Sequence, residues 1–320
     1  EYSKYCSIPC LDPKKKSVVG LNLLANHLKS ARNGFVYATA KPKHIGKSTS
    51  VWDVQITNEE DQPISQLVSL LCIRIFDMNK LNIFILLFFS MIGFCEYPKS
   101  ILFIGNSYLY YNDSMHNHVE ELMEDFYKDQ EIVTKSATIG GSRLENHNID
   151  HLLKPKNLQR KEQVDMVIMQ GGSGEVIDKA SRKKFIKTAV KYSKKARKQG
   201  VMPALFMTHA YTETDDRYEP NLIEKIKMTY FEAGRQSKAL VIPVGIAYEN
   251  AYSKRPDIKL HHPDGSHPGM LGTYLGACVI FAFITSQSPV GLDYNYLNRV
   301  SNKDKLFLQE IAWQTYLEFN

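Results

Sequence analysis

Ser100-Ile-Leu-Phe-Ile-Gly-Asn-Ser107 sets four apolar residues in a row, breaks at a glycine and presents a serine directly after it. A short apolar run without alternation is the pattern of a strand buried on both faces. Similar runs recur at 131–137, 164–170, 203–208 and 239–244. Between them lie stretches of helical spacing at 116–127, 181–199 and 221–237, and a further one at 269–285 follows the last strand. This alternation predicts a parallel sheet covered by helices on both faces. In such sheets ligands bind beyond the C-terminal ends of the strands, so those corners are where chemistry is expected.

The corners are rich in serine, glycine and histidine. Gly105-Asn106-Ser107-Tyr108 follows the first strand and Ile139-Gly140-Gly141-Ser142 the second. Gln170-Gly171-Gly172-Ser173-Gly174 follows the third, and Asp264-Gly265-Ser266-His267-Pro268 stands between the fifth strand and the last of these helices. A serine hydroxyl is a weak nucleophile until a histidine takes its proton. The histidine in turn needs a carboxylate to fix its tautomer and stabilise its cation. Asp264 and His267 are close enough in sequence for that pairing, and glycine corners let backbone N–H groups approach a developing oxyanion. A Gly-x-Ser-x-Gly elbow is absent, which disfavours the common α/β-hydrolase arrangement.

These corners, in this order, resemble the GDSL/SGNH hydrolase superfamily over nearly all of residues 99–285. The family's Gly-Asp-Ser block is matched by Gly105-Asn106-Ser107, and Tyr111-Asn112 continues as in a bacterial branch of the family. The resemblance implies a flavodoxin-like three-layer α/β sandwich with a five-stranded parallel sheet. It implies Ser107 as nucleophile, Asp264 and His267 as its partners, and the Ser107 and Gly141 N–H groups in the oxyanion hole. The third block departs: the family's Gly-x-Asn-Asp is replaced, so Ser173 or Gln170 is left to supply the third donor. No cofactor and no metal are implied. The expected activity is hydrolysis of a small-molecule or carbohydrate carboxylic ester through an acyl-serine, with carbohydrate deacetylation as the specific form. A carbohydrate-binding pseudoenzyme is the alternative that the altered third block raises.

Residues 1–77 read differently. Strand-like runs at 34–40, 51–57 and 67–75 are joined by polar connections. Gly46-Lys47-Ser48 is no phosphate loop, because Lys41 stands where the first glycine should be. The segments 19–31 and 39–53 resemble the C-terminal half of a hotdog-fold acyl-CoA thioesterase, over about residues 10–75. The half that carries that family's central helix and carboxylate has no counterpart here. An incomplete, catalytically dead fragment is therefore expected, with acyl-CoA thioesterase activity as its alternative. Met78-Asn-Lys80 followed by about 14 apolar residues has the layout of an export signal, cut before Glu96. The expected divisions are thus 1–77, 78–95 and 96–320. Translation from Met78 would give a secreted or periplasmic protein with no stable membrane span after cleavage.

Composition narrows the remaining classes. The 320 residues are 43% hydrophobic and 23% charged, with 18 Gly and 13 Pro, which excludes collagen, coiled coil and wholesale disorder. The net charge of +6 comes with lysine runs such as Lys194-Lys195 that read as solvated helix faces, and no nucleic-acid partner is expected. Five cysteines, an odd count in a large chain, argue against a disulfide framework, and Cys6-x-x-x-Cys10 has no second pair at zinc spacing. His116 and His118 read as helix-start residues rather than metal ligands. Asp215-Asp216-Arg217 reads as a polar loop or substrate rim, and His261-His262 as pocket lining or exposed loop.

Overall fold

The structure, a computed structural model, describes residues 16–27, 36–45, 49–58, 63–76, 97–160 and 162–319. They fall into two compact units, Glu1–Phe94 and Cys95–Asn320. The export-signal stretch 78–95, the Cys6/Cys10 pair and Gly46-Lys47-Ser48 lie outside the described residues.

The first unit contains β1 (Lys16–His27), β2 (Val36–Ile45), β3 (Thr49–Asn58) and β4 (Pro63–Phe76). They form one antiparallel sheet in the order β1-β4-β3-β2. The predicted strands at 34–40, 51–57 and 67–75 correspond to β2, β3 and β4. β1 occupies part of the segment that sequence read only through its hotdog resemblance. Among this unit's described residues no helix lies against the sheet.

The second unit is a three-layer α/β sandwich. Its strands are β5 (Ser100–Gly105), β6 (Val133–Thr138), β7 (Met166–Gln170), β8 (Met202–Phe206) and β9 (Leu240–Ile242). All pair in parallel, in the order β6-β5-β7-β8-β9. The helices that cover the sheet are α1 (Met115–Phe126), α2 (Lys179–Lys198), α3 (Leu222–Ser237), α4 (Val244–Lys254), α5 (Met270–Thr285) and α6 (Asn302–Phe319).

The unbroken apolar run of β5 is explained by its two faces. Ile101 and Phe103 pack with α1, α4, α5 and α6, while Leu102 and Ile104 pack with α2 and α3. All four are fully buried. Two features depart from the sequence reading. The fifth strand stops at Ile242, because Pro243 lacks an N–H for the ladder and instead leads into α4, a helix the reading did not contain. Beyond 285 the chain forms α6, whose Leu308, Ile311 and Ala312 close over α5. α5 is buried on every side from Gly272 to Thr285. A Cβ at Gly272 would lie 2.2 Å from the carbonyl oxygen of Leu260, so that helix start tolerates no side chain.

β5 sits between β6 and β7, so the order of connection reverses around its C-terminal end. A crevice opens at such a switch point, and Ser107 stands in it.

Candidate active site

Ser107 opens a single helical turn, Ser107–Tyr110, directly after β5. Asn106 caps that turn: its Oδ1 accepts from the Tyr108 N–H at 3.1 Å and its Nδ2 donates to the Ser142 carbonyl at 3.0 Å. The Asn106 N–H donates to Gln170 Oε1 at 3.0 Å. The ends of β5, β6 and β7 are thereby tied together around one residue. Gly105 has to be a glycine here, since a Cβ would fall 2.4 Å from Gln170 Oε1.

The Asp264–His267 loop arrives from the far end of the sequence. His267 Nε2 lies 2.9 Å from Ser107 Oγ, and His267 Nδ1 lies 2.7 Å from Asp264 Oδ2. Asp264 Oδ1 accepts the N–H groups of Ser266 and His267, both at 2.9 Å. Burial alone would push this carboxyl up. The Ser266 N–H, the His267 ring and the His267 N–H outweigh it and hold the group well below the usual carboxylate range. The Tyr111 ring stacks on His267 with centroids 4.2 Å apart, fixing the imidazole plane from the open side.

Ser266 anchors the loop from below. Its Oγ pairs with the Tyr108 hydroxyl at 2.9 Å, and its carbonyl accepts from His209 Nε2 at 2.7 Å. His209 is stacked between Tyr108 and Tyr248, each at 4.5 Å. Burial, reinforced by His261, keeps this imidazole neutral far below its ordinary pKa, which suits a ring that donates to a carbonyl. Arg217 forks onto Asp215, with Nε 2.9 Å from Oδ1 and Nη2 2.6 Å from Oδ2, and Nη2 also reaches Ser266 Oγ at 3.2 Å. Asn112 Nδ2 holds the Pro268 carbonyl at 2.9 Å.

Of the expected oxyanion groups, Gly141 sits at φ +65° in the turn closed by Ser142 N–H to the Ile139 carbonyl at 3.1 Å. Among the described residues, no protein acceptor within bonding distance takes the N–H of Gly141 or of Ser107. Ser173 lines the same cavity. Gln170 is placed otherwise: it is 1% exposed, outside the cavity wall, and its amide bonds Asn106 on one side and the Gly171 carbonyl on the other. The two glycine corners are stapled by Glu175, whose Oε2 accepts from Gly172 N–H at 2.6 Å and Leu144 N–H at 3.2 Å. Burial pushes the Glu175 carboxyl up.

The cavity over Ser107 and His267 has a volume of about 550 Å³, and Tyr110, Arg143 and Arg217 form part of its rim. A larger one of about 820 Å³ lies at the opposite, N-terminal end of the strands, beside Ser100, Val133 and Met202, away from Ser107. His118 is taken up by structure: Nε2 donates to the Asn112 carbonyl at 2.6 Å and Nδ1 accepts from Tyr294 at 2.9 Å. His261 likewise bonds the Ala210 carbonyl and Tyr252. Sequence reasoning did not single out Arg143, Glu175, His209 or Ser266 as parts of the site. Arg143 directly follows a Gly-Gly-Ser corner and His209 stands just past the fourth strand, so the strand-end rule reaches both. Glu175 directly follows the Gly171-Gly172-Ser173-Gly174 corner and Ser266 stands inside the Asp264–His267 segment, but neither position tells what its side chain will bond.

A serine polarised by a carboxylate-backed imidazole, with N–H groups facing the same space, can form and cleave an acyl-serine. Residues 3–65 match the thioesterase superfamily. There the chain is 53% identical over 45 residues to the 1,4-dihydroxy-2-naphthoyl-CoA hydrolase of Listeria monocytogenes, which covers 14% of this chain and 37% of that protein. It is 43% identical over 51 residues to the enzyme of the same name from Escherichia coli, 16% of this chain and again 37% of that one. The chain thus spans little more than a third of the length of these relatives. In solved structures, a DUF4886 family protein from Bacteroides uniformis superposes with a TM-score of 0.55 at 19% identity, covering 68% of this chain and 94% of the other. Residues 3–65 are therefore similar in sequence to the thioesterase superfamily, and the unit that holds Ser107 shares its α/β fold with the Bacteroides uniformis protein.

Proposed function

We propose that the second unit is a serine hydrolase of carboxylic esters. The observation that carries this reading is the continuous chain from Ser107 Oγ through His267 to Asp264, at 2.9 and 2.7 Å, on the wall of a cavity. In this reading His267 Nε2 takes the Ser107 proton as Oγ attacks the ester carbonyl. The Ser107 and Gly141 N–H groups, with Ser173 as third donor, stabilise the tetrahedral oxyanion. Collapse breaks the C–O bond, the imidazolium protonates the departing alcohol, and an acyl-serine remains. Water, deprotonated by His267, then releases the acid and restores Ser107.

Carbohydrate deacetylation is the specific form proposed, because the cavity wall combines polar groups with Tyr110 and Tyr111, rings that suit the faces of sugars. The test is acetate release from a panel of acetylated sugars beside p-nitrophenyl acetate. Turnover lost in Ser107→Ala supports the reading, and turnover retained in that variant overturns it. A second reading, acyl-CoA thioesterase, is favoured by the names of the relatives matched at residues 3–65. An acyl-CoA panel that gave turnover independent of Ser107 would select it.

The apolar stretch 81–94 after Met78 and Lys80 supports export, with the exported enzyme starting near Glu96. Mass spectrometry of the native product tests this. A stable exported species that retained Trp52 would sink it.

A further inference from the structure

We infer that Asn112 is a positioning residue, whose side-chain amide fixes the segment carrying His267 against the segment carrying Ser107. The inference rests on the proposed roles of Ser107 and His267, and it adds a residue that acts on them through Pro268.

The backbone gives the first observation. Asn112, Asp113 and Ser114 stand in succession at φ +53°, +70° and +68°, and none of them is glycine. A side chain crowds the backbone there, so three such residues in a row have to be held. Strain of this kind persists where the surroundings over-determine it, and it gathers where geometry serves function. Each residue of this run is tied to the start of α1. His118 Nε2 donates to the Asn112 carbonyl at 2.6 Å, and Asn117 Nδ2 donates to the Asp113 carbonyl at 2.7 Å. Ser114 Oγ donates to the Leu109 carbonyl at 3.1 Å and accepts from His116 Nδ1 at 2.8 Å. His118 is itself fixed by Tyr294, whose hydroxyl lies 2.9 Å from Nδ1. Helix capping does not account for the run, because the Ser114 side chain makes no cap to α1.

The second observation is what the run aims. Asn112 Nδ2 donates to the Pro268 carbonyl at 2.9 Å and to Thr273 Oγ1 at 2.8 Å. A carbonyl can only accept, so the amide nitrogen faces it and both amide hydrogens are used. Pro268 directly follows His267, and Thr273 stands in the first turn of α5. On the other side of His267, Ser266 Oγ pairs with the Tyr108 hydroxyl at 2.9 Å. The residues before and after His267 are thus each gripped by a side chain from the stretch that opens with Ser107. Tyr111, in the same stretch, stacks on the ring between them. This bracket sets the 2.9 Å from His267 Nε2 to Ser107 Oγ, a separation on which proton transfer depends steeply.

The plainer account is that asparagine stands here only because it tolerates positive φ better than most residues. Glycine separates the two accounts, since it takes that conformation freely and has no amide to donate.

The test uses the full chain and compares Asn112→Gly, Asn112→Asp and Ser107→Ala with the parent, each checked for folding by circular dichroism. Asn112→Asp keeps the size and the tolerance of positive φ but turns an acceptor toward the Pro268 carbonyl. On p-nitrophenyl acetate both Asn112 variants are expected to lose about 10- to 100-fold in kcat with KM little changed. A second readout needs no turnover: the NMR signal of the His267 Nε2 nitrogen, recorded in mildly alkaline buffer, senses its bond to Ser107. Ser107→Ala supplies the reference without that bond, and Asn112→Gly should move the signal at least halfway toward it. Parent kcat in a folded Asn112→Gly overturns the inference and leaves Asn112 as a backbone fit. A rise in KM with kcat unchanged overturns it as well, and so does a His267 signal that stays at the parent position. If the parent hydrolyses no ester, or Ser107→Ala keeps its turnover, the hydrolase reading falls, and the nitrogen signal still decides whether Asn112 places His267.

Discussion

At Ser107 a single oxygen carries the proposed chemistry and very little of the packing. Ser107→Ala should therefore abolish ester hydrolysis while leaving the urea midpoint within experimental error of the parent. His267→Ala removes the base and should cost about 10⁶-fold in kcat, by analogy with other hydroxyl nucleophiles. Asp264→Asn keeps the ring but removes the anion that sets its tautomer, a loss of about 10⁴-fold. Steady-state kinetics on p-nitrophenyl acetate rank the three, and an Asp264→Asn loss larger than that of His267→Ala would contradict the assigned roles. Asp264 is also a pH marker. Its carboxyl is held low in the folded state, so its contribution to stability is present above the ordinary Asp value and fades as pH falls toward the depressed one. Through the mildly acid range it stays ionised, and an acid loss of rate there is not Asp264 taking up a proton.

At the scale of elements, the site depends on side chains that hold corners together without touching substrate. Glu175 joins the β7 corner to the segment after β6 through Gly172 and Leu144. Glu175→Ala leaves two N–H groups unsatisfied in the interior, at about 1–3 kcal/mol each. Glu175→Gln keeps an acceptor, and because burial already disfavours the charged carboxylate, it should cost less than half as much. Urea unfolding of the two variants checks the order. His209 does the same for the loop that carries His267. His209→Phe preserves the stack between Tyr108 and Tyr248 but deletes the donor to Ser266. A small displacement of His267 should then lower kcat about 10- to 100-fold with KM little changed. An unchanged kcat in a folded His209→Phe variant would remove His209 from this positioning role.

The whole second unit carries a pH dependence of its own. His116, His118, His147, His209 and His261 all have their pKa lowered, with burial the first cause in each. Below the ordinary histidine value of about 6.5 the unfolded chain takes up protons that the folded chain refuses. Stability from these groups is complete above that value and is lost as pH falls through it. Glu124, Glu175 and Glu249, whose carboxyls are raised first by burial, act in the opposite sense above the ordinary Glu value, but they are fewer. The urea midpoint should therefore be higher at pH 7.5 than at pH 5.5, and a flat or inverted dependence would mean that these histidines are solvated. At the alkaline end, Tyr127 and Tyr252 are pushed up to about 12, first by burial. Above about pH 10 the unfolded state loses phenolic protons that the native state keeps, and stability should fall again.

Apolar patterning alone places β5, β7 and β8, because a strand between two helical layers must be apolar on both faces wherever the chain later goes; β6, at the sheet edge, is only partly buried and carries Thr134, Lys135 and Ser136. The residues at strand ends are legible for a related reason: in a parallel sheet those ends share one edge, so Ser107, Gly141 and Ser173 can be gathered without knowing a single contact, whereas Asp264 and His267 lie in a loop beyond α4 and are legible only through their Asp-x-x-His spacing. β9 and α4 were misjudged at Pro243, where an apolar run satisfies both a strand and the start of a buried helix and only the neighbouring elements choose between them. α6 lay beyond the recognised pattern, and its apolar stripe is defined by α5 beneath it. Tertiary structure decided the partnerships. Whether Gln170 would face the cavity or brace Asn106, which carboxylate would staple the glycine corners, and which carbonyl Asn112 would hold all depend on residues that meet across the fold. Those contacts join positions 64, 31 and 156 apart in sequence, distances over which no local pattern reports what a side chain will touch.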